Sequence, residues 1–172
     1  NLLGGYVYYK VENERYEIRE ATLTEVNNWY EDLRPTEPQI PIRDLSITEI
    51  MPLDDIEFEM STAFGAKCSN LATMRSFDLP VGTIPDGFGI PFYYYDQFMQ
   101  FNNFYQEAQV MINNPTFQTD LNFRIDRLRD FRRAIKDAPM PQWMMDNLQV
   151  MHDDFPEGTA VRCRSSTNNE DL

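Results

Sequence analysis

At 172 residues, with 42% hydrophobic and 13% aromatic side chains, the chain has the length of one domain and enough apolar material for a core, which excludes wholesale disorder. Fifteen Lys and Arg stand against 28 Asp and Glu, a formal net charge of -13; that excess repels phosphate backbones and anionic lipid, excluding broad nucleic-acid or membrane binding but not a local basic pocket for one small anion. The two cysteines, Cys68 and Cys163, form neither a disulfide framework nor a zinc pattern, and no apolar run is long enough to span a bilayer, so a reduced, cytoplasmic setting is expected.

The first elements are legible from local chemistry. Tyr6–Tyr9 and Arg15–Ile18 flank Glu12-Asn13-Glu14, which predicts a β-hairpin with Asn13 in the turn. Thr22-x-x-Glu25 has the capping-box spacing, and Leu23, Val26, Trp29 or Tyr30, and Leu33 follow at helical intervals until Arg34-Pro35 ends the helix. Nothing in residues 1–34 suggests chemistry. They read as a peripheral layer, as the tail of an upstream domain, or as a docking platform built on the Tyr-rich hairpin. Residues 35–61 carry Pro35, Pro38, Pro41 and Pro52 among acidic residues and read as a linker. Asp54, Asp55, Glu57 and Glu59 cluster there; a solvated loop is the preferred reading over a divalent-metal site, because nothing fixes their geometry.

Phe64-Gly65-Ala66-Lys67 leads into a predicted helix running to about Ser76, with Leu71 and Met74 on its buried face. A lysine at a helix start opposes the macrodipole unless an anion is present, and a phosphate there would be held by free N–H groups and the ammonium together. A turn-rich connector over 79–86 precedes a short strand at 87–90. Pro91 then opens a helix with Phe92, Tyr95, Phe98 and Met99 on one face. After a short helix over 103–112, Phe117, Leu121, Ile125, Leu128, Phe131 and Ile135 form one long amphipathic stripe whose polar side is rich in interleaved Arg and Asp. Pro141 opens another helix with Met144, Leu148 and Met151 buried, and His152 lies near its end. Gly158 releases the chain into a predicted strand over 159–164, on which Arg162 and Arg164 share one face. The two guanidiniums suit a phosphate; equally, they could pair with Glu170 and Asp171 as structural charges. The chain opens without Met and stops after a polar segment, which predicts a piece of a larger protein.

Three stretches now stand in order: Gly65-Ala66-Lys67 with Asn70-Leu71; Leu79-Pro80-Val81 with Pro85-x-Gly87-Phe88; and Arg164-Ser165-Ser166 with Glu170-Asp171-Leu172. Together they resemble the nucleotide-binding region of the phosphoenolpyruvate synthase and pyruvate phosphate dikinase family, with its G-G-K-x-x-N-L helix start, L-P-V-P-x-G-F connector and R-S-S-x-x-x-E-D-L segment. The resemblance covers about 62–172 and implies an α+β fold: the N-terminal lobe of an ATP-grasp domain, with helices on a small sheet that includes 87–90 and 159–164. It implies that Lys67 and Arg164 contact ATP phosphates, with Arg162 the choice if the apolar run sets the register. No catalytic or metal-ligating residue is assigned. In the family, ATP with Mg2+ phosphorylates a histidine on a swivelling domain, which passes the group to pyruvate or another acceptor such as a glucan. The partners implied are ATP, a second ATP-grasp lobe and the phosphohistidine domain, so the chain alone is not expected to turn over. Two departures stand out: Ala66 replaces the second glycine of G-G-K, and Val161-Arg162-Cys163-Arg164 carries an additional arginine. The competing reading is a non-catalytic interaction or structural module in which Lys67 and Arg164 are only salt-bridge residues.

Overall fold

The computed structural model describes residues 4–33 and 41–168, which fall into two compact units divided after Ile40. The architecture is α+β: eight helices and two small antiparallel sheets among the described residues.

In the first unit, β1 (Val7–Glu12) pairs with β2 (Arg15–Glu20), Tyr9 opposite Ile18 and Val11 opposite Tyr16. Asn13 takes the left-handed conformation, φ 43°, that the tight turn demands. Helix α1 (Leu23–Leu33) starts at a complete capping box. Thr22 N–H donates to Glu25 Oε2 at 2.9 Å, and Glu25 N–H donates back to Thr22 Oγ1 at 3.2 Å. Arg19 adds two bonds to the same carboxylate, at 2.6 and 2.9 Å, and lies over the Tyr8 ring. The hairpin and α1 are thereby joined through Glu25. Val7, Tyr9, Val11, Tyr16 and Ile18 all remain exposed.

The second unit begins in the stretch whose prolines suggested a linker. From Pro41 onward that stretch carries strand β3 (Met51–Pro52) and single helical turns at Leu53–Asp55 and Phe58–Met60. Leu53 and Ile56 are buried with Ala63 and Phe64 of α2 (Ser61–Phe64) and Ala72 of α3 (Ala66–Arg75). Strand β4 (Phe88–Gly89) pairs with β3. Gly89 is required there: a Cβ would lie 2.8 Å from both Cys68 Sγ and Phe64 Cδ1. The absence of a side chain lets the small sheet press onto α3.

Five helices complete the unit: α4 (Phe92–Phe101), α5 (Phe104–Ile112), α6 (Pro115–Thr119), α7 (Leu121–Asp137) and α8 (Gln142–Asp153). Tyr94, Met99, Phe104, Met111 and Met144 are buried among them. Tilted and edge-on ring pairs, Tyr94–Trp143 at 5.2 Å and Phe104–Phe131 at 5.7 Å, knit α4 to α8 and α5 to α7.

Several expectations are corrected here. Residues 159–164 form no strand; a strand exists only through a partner's ladder, and β4 pairs with β3 instead. Met74 and Tyr95 are exposed, because α3 buries Ser69 and Ala72, while α4 buries Tyr94 and Asp96 along with the expected Met99. The long stripe over 117–135 is two helices broken at Asp120, whose carboxylate caps α7 by accepting from Phe123 N–H at 3.0 Å. Leu121, Ile125 and Leu128 of that stripe are exposed. Of the interleaved charges on α7, Arg129 pairs with Asp126 at 2.8 Å, while Arg124 donates to the carbonyls of Phe117 and Gln118 and so staples α6 to α7.

Candidate functional site

Helix α3 starts without a capping side chain of its own. Its N-cap is Gly65, at φ 83° and ψ 158°, a conformation reserved in practice for glycine. The first-turn N–H groups of a helix have no intrahelical partner, and here a distant segment serves two of them. Cys68 N–H donates to Ser166 Oγ at 3.0 Å, and Ala66 N–H donates to the Thr167 carbonyl at 3.1 Å. Asn168 Nδ2 donates to the Ile42 carbonyl at 2.7 Å and anchors the same segment one residue further on.

Lys67 sits between Ala66 and Cys68 in that turn, and Arg164 lies two residues before Ser166. These hydrogen bonds therefore bring the two cation-bearing stretches to one place. Lys67, Arg162 and Arg164 are all exposed. Among the described residues neither arginine forms an ion pair, in contrast to Arg19, Arg75 and Arg129. Glu170 and Asp171, the carboxylates proposed as structural partners, lie outside the described residues.

The expectation that a phosphate would meet free N–H groups at the start of α3 is corrected for Ala66 and Cys68, whose donors are already used by the chain. The substitution of Ala66 for the second glycine also finds its explanation. The backbone demand falls on Gly65, whereas residue 66 is the first helical residue, where alanine is well suited.

The connector before β4 is held by a residue to which the sequence assigned no role. Arg75, in the last turn of α3, donates to Asp54 Oδ2 at 2.9 Å, Asp86 Oδ1 at 2.8 Å and the Pro85 carbonyl at 2.9 Å. Its guanidinium holds the Asp54 carboxyl below the usual carboxylate range. No local pattern announces this, since Asp54 and Asp86 are 21 and 11 positions away. Asp54 thus leaves the acidic cluster, and no group of three metal-ligating side chains gathers among the described residues.

Another polar network, centred on a buried carboxylate, lies on α4. Asp96, 5% exposed, accepts from Tyr105 Oη at 2.8 Å, and Tyr105 in turn accepts from Arg43 at 3.1 Å. Burial pushes the Tyr105 phenol above its usual range. Two surface depressions, one along 152–159 and one between Thr48–Ile50 and α8, do not include Lys67, Arg162 or Arg164. His152 is exposed in the last turn of α8, 3.4 Å from Asp153. Cys68 is half-buried, and burial raises its thiol; Cys163 is exposed.

No helix among the described residues is long and apolar enough to cross a membrane. Residues 61–172 match the family model described as pyruvate phosphate dikinase, AMP/ATP-binding domain. No curated protein and no solved structure matches the chain.

Proposed function

Because the chain belongs to the pyruvate phosphate dikinase AMP/ATP-binding domain family, we propose that residues 62–172 form one lobe of an ATP-grasp nucleotide site in which Lys67 and Arg164 neutralise ATP phosphates. The observation that carries this reading is the pair of hydrogen bonds from the Ala66 and Cys68 N–H groups to the Thr167 carbonyl and the Ser166 hydroxyl. They join two segments that a phosphate-binding role requires to be neighbours. Lys67 and both arginines are exposed, as a ligand-facing role requires. Phosphoryl transfer needs positioning and charge neutralisation more than covalent help, and an ammonium with a guanidinium supplies that.

In this reading the rest of the machinery lies on other domains: a second lobe, and a histidine that takes the phosphoryl group from ATP before passing it to an acceptor. Magnesium, when bound, would supply further neutralisation of phosphate charge. This chain's own contribution is the cationic pair. The test is ATP titration of the intact protein with Lys67→Ala, Arg164→Ala and Arg162→Ala. Loss of a charge-assisted contact should weaken binding about 10- to 100-fold at Lys67 and Arg164. Arg162→Ala should have a smaller effect. Unchanged ATP affinity and phosphohistidine formation in both of the first two variants sinks the assignment.

A second role for residues 5–20 is favoured by one observation. Tyr9, Val11, Tyr16 and Ile18 are cross-strand neighbours on one hairpin face, and all are more than half exposed. A contiguous apolar face of this kind, with two tyrosines in it, suits a docking platform. An isolated two-stranded hairpin is marginal in water, so strong protection of the 7–12 and 15–20 amides from hydrogen exchange in the intact protein would support docking. Free exchange there removes it.

A further inference from the structure

We propose that Ser166 and Gly65 are the positioning residues of the nucleotide site: together they fix where Arg164 stands relative to Lys67. The inference rests on the reading of Lys67 and Arg164 as the phosphate-binding pair, and it assigns a task to two residues that carry no charge.

Lys67 and Arg164 come from segments almost a hundred positions apart, yet two cations act on one phosphate only if their spacing is held closely. A helix normally caps itself with the side chain of its N-cap residue, which accepts the N–H two or three residues on. Gly65 has no side chain to offer. Ser166 takes over that task from a distance, its Oγ accepting the Cys68 N–H at 3.0 Å. The Thr167 carbonyl takes the Ala66 N–H at 3.1 Å. Lys67 is bracketed by the two bonded residues. Arg164 is two residues from Ser166, a reach of at most about 7 Å along the chain.

Gly65 makes the approach possible in two ways. At φ 83° it adopts a backbone that side chains rarely tolerate, and a Cβ built on it would lie 2.6 Å from the Ser166 carbonyl carbon and 2.8 Å from its oxygen. Any side chain at 65 therefore meets the backbone of the Arg164 segment, which cannot step aside as a flexible side chain would. Asn168, bonded to the Ile42 carbonyl at 2.7 Å, holds the far end of the same segment. The segment is thus fixed at Ser166, Thr167 and Asn168 and leads directly back to Arg164.

The experiment is ATP titration of the intact protein in a double-mutant cycle over Ser166→Ala and Arg164→Ala, with Lys67→Ala alongside. Losing the distant cap should weaken ATP by about tenfold. The double variant should then bind within about twofold of Arg164→Ala alone, because an unpositioned arginine contributes little. Unchanged affinity in Ser166→Ala, or effects that multiply in full, overturns the proposal and leaves the phosphate reading standing. Unchanged affinity in both Lys67→Ala and Arg164→Ala overturns the phosphate reading, and the positioning role with it. Gly65→Ala should reproduce the Ser166→Ala loss. Where that variant fails to fold, the cycle on Ser166, which adds no atoms, decides alone.

Discussion

The Ser166 hydroxyl accepts a hydrogen bond from the Cys68 backbone N–H, 98 positions earlier in the chain. This one bond ties the segment bearing Arg164 to the turn bearing Lys67, and the stability of that junction can be probed apart from any ligand.

Gly65 and Gly82 provide a matched comparison. Both have φ above +80°, but a Cβ at 82 meets nothing within 4 Å, whereas one at 65 meets Ser166. Gly82→Ala should cost about 1 kcal/mol, the strain of a side chain at positive φ alone. Gly65→Ala adds a steric overlap to that strain and should cost about 3 kcal/mol. Thermal or urea unfolding of the two variants measures the difference, and equal losses would mean that the Gly65–Ser166 approach is not a tight one.

Arg75 should govern the connector rather than α3. Its guanidinium holds Asp54, Asp86 and the Pro85 carbonyl at once. In Arg75→Met, amide hydrogen exchange over 83–88 should accelerate, while the middle of α3 keeps its protection. Lysine should rescue only in part, because an ammonium lacks the rigid fork that reaches several acceptors.

At Glu25 the pH dependence has a defined sign. Hydrogen bonds from Arg19, then from Thr22, lower the carboxyl from 4.5 to about 2. A lowered folded-state pKa stabilises fully above the unfolded value and is lost as pH falls through the folded one. The junction between hairpin and α1 should therefore hold at pH 5 and loosen between about 4.5 and 2. Carboxyl chemical shifts and α1 amide protection report it, and Glu25→Gln should remove this pH dependence.

Tyr105→Phe removes the hydroxyl that both Arg43 and the buried Asp96 share. Asp96 keeps only its bond from Gln100. The loss should be about 1 kcal/mol, at the low end for a shared buried bond because Tyr105 itself is partly exposed. Asp96→Asn combined with Tyr105→Phe should restore part of it, since a neutral amide tolerates the loss of a donor better than a carboxylate does. Urea unfolding of the two single variants and the double variant measures both effects.

What the sequence made legible was local. The hairpin turn at Asn13 and the Thr22–Glu25 box announce themselves because their partners lie within a few residues. The starts of α4 and α8 were equally readable from Pro91 and Pro141. What was not legible depends on residues far away in the chain. The strand expected over 159–164 failed because its alternation said nothing about a partner edge. Asp96 was overlooked on the inner face of α4 because its burial depends on Tyr105 and Gln100. Of the candidate site, Lys67 and Arg164 could be named from motif order. Ser166 lay within the quoted motif without a role, since a cap supplied from a distance leaves no mark at the helix it caps.

That distant cap also sets an order of events during synthesis. At translation rates of about 5–20 residues per second, the 98 positions separating Cys68 from Ser166 take roughly 5–20 s to appear. For that interval the start of α3 has only water for the N–H groups of Ala66 and Cys68. The cationic junction thus closes only after all five helices from α4 to α8 have been made.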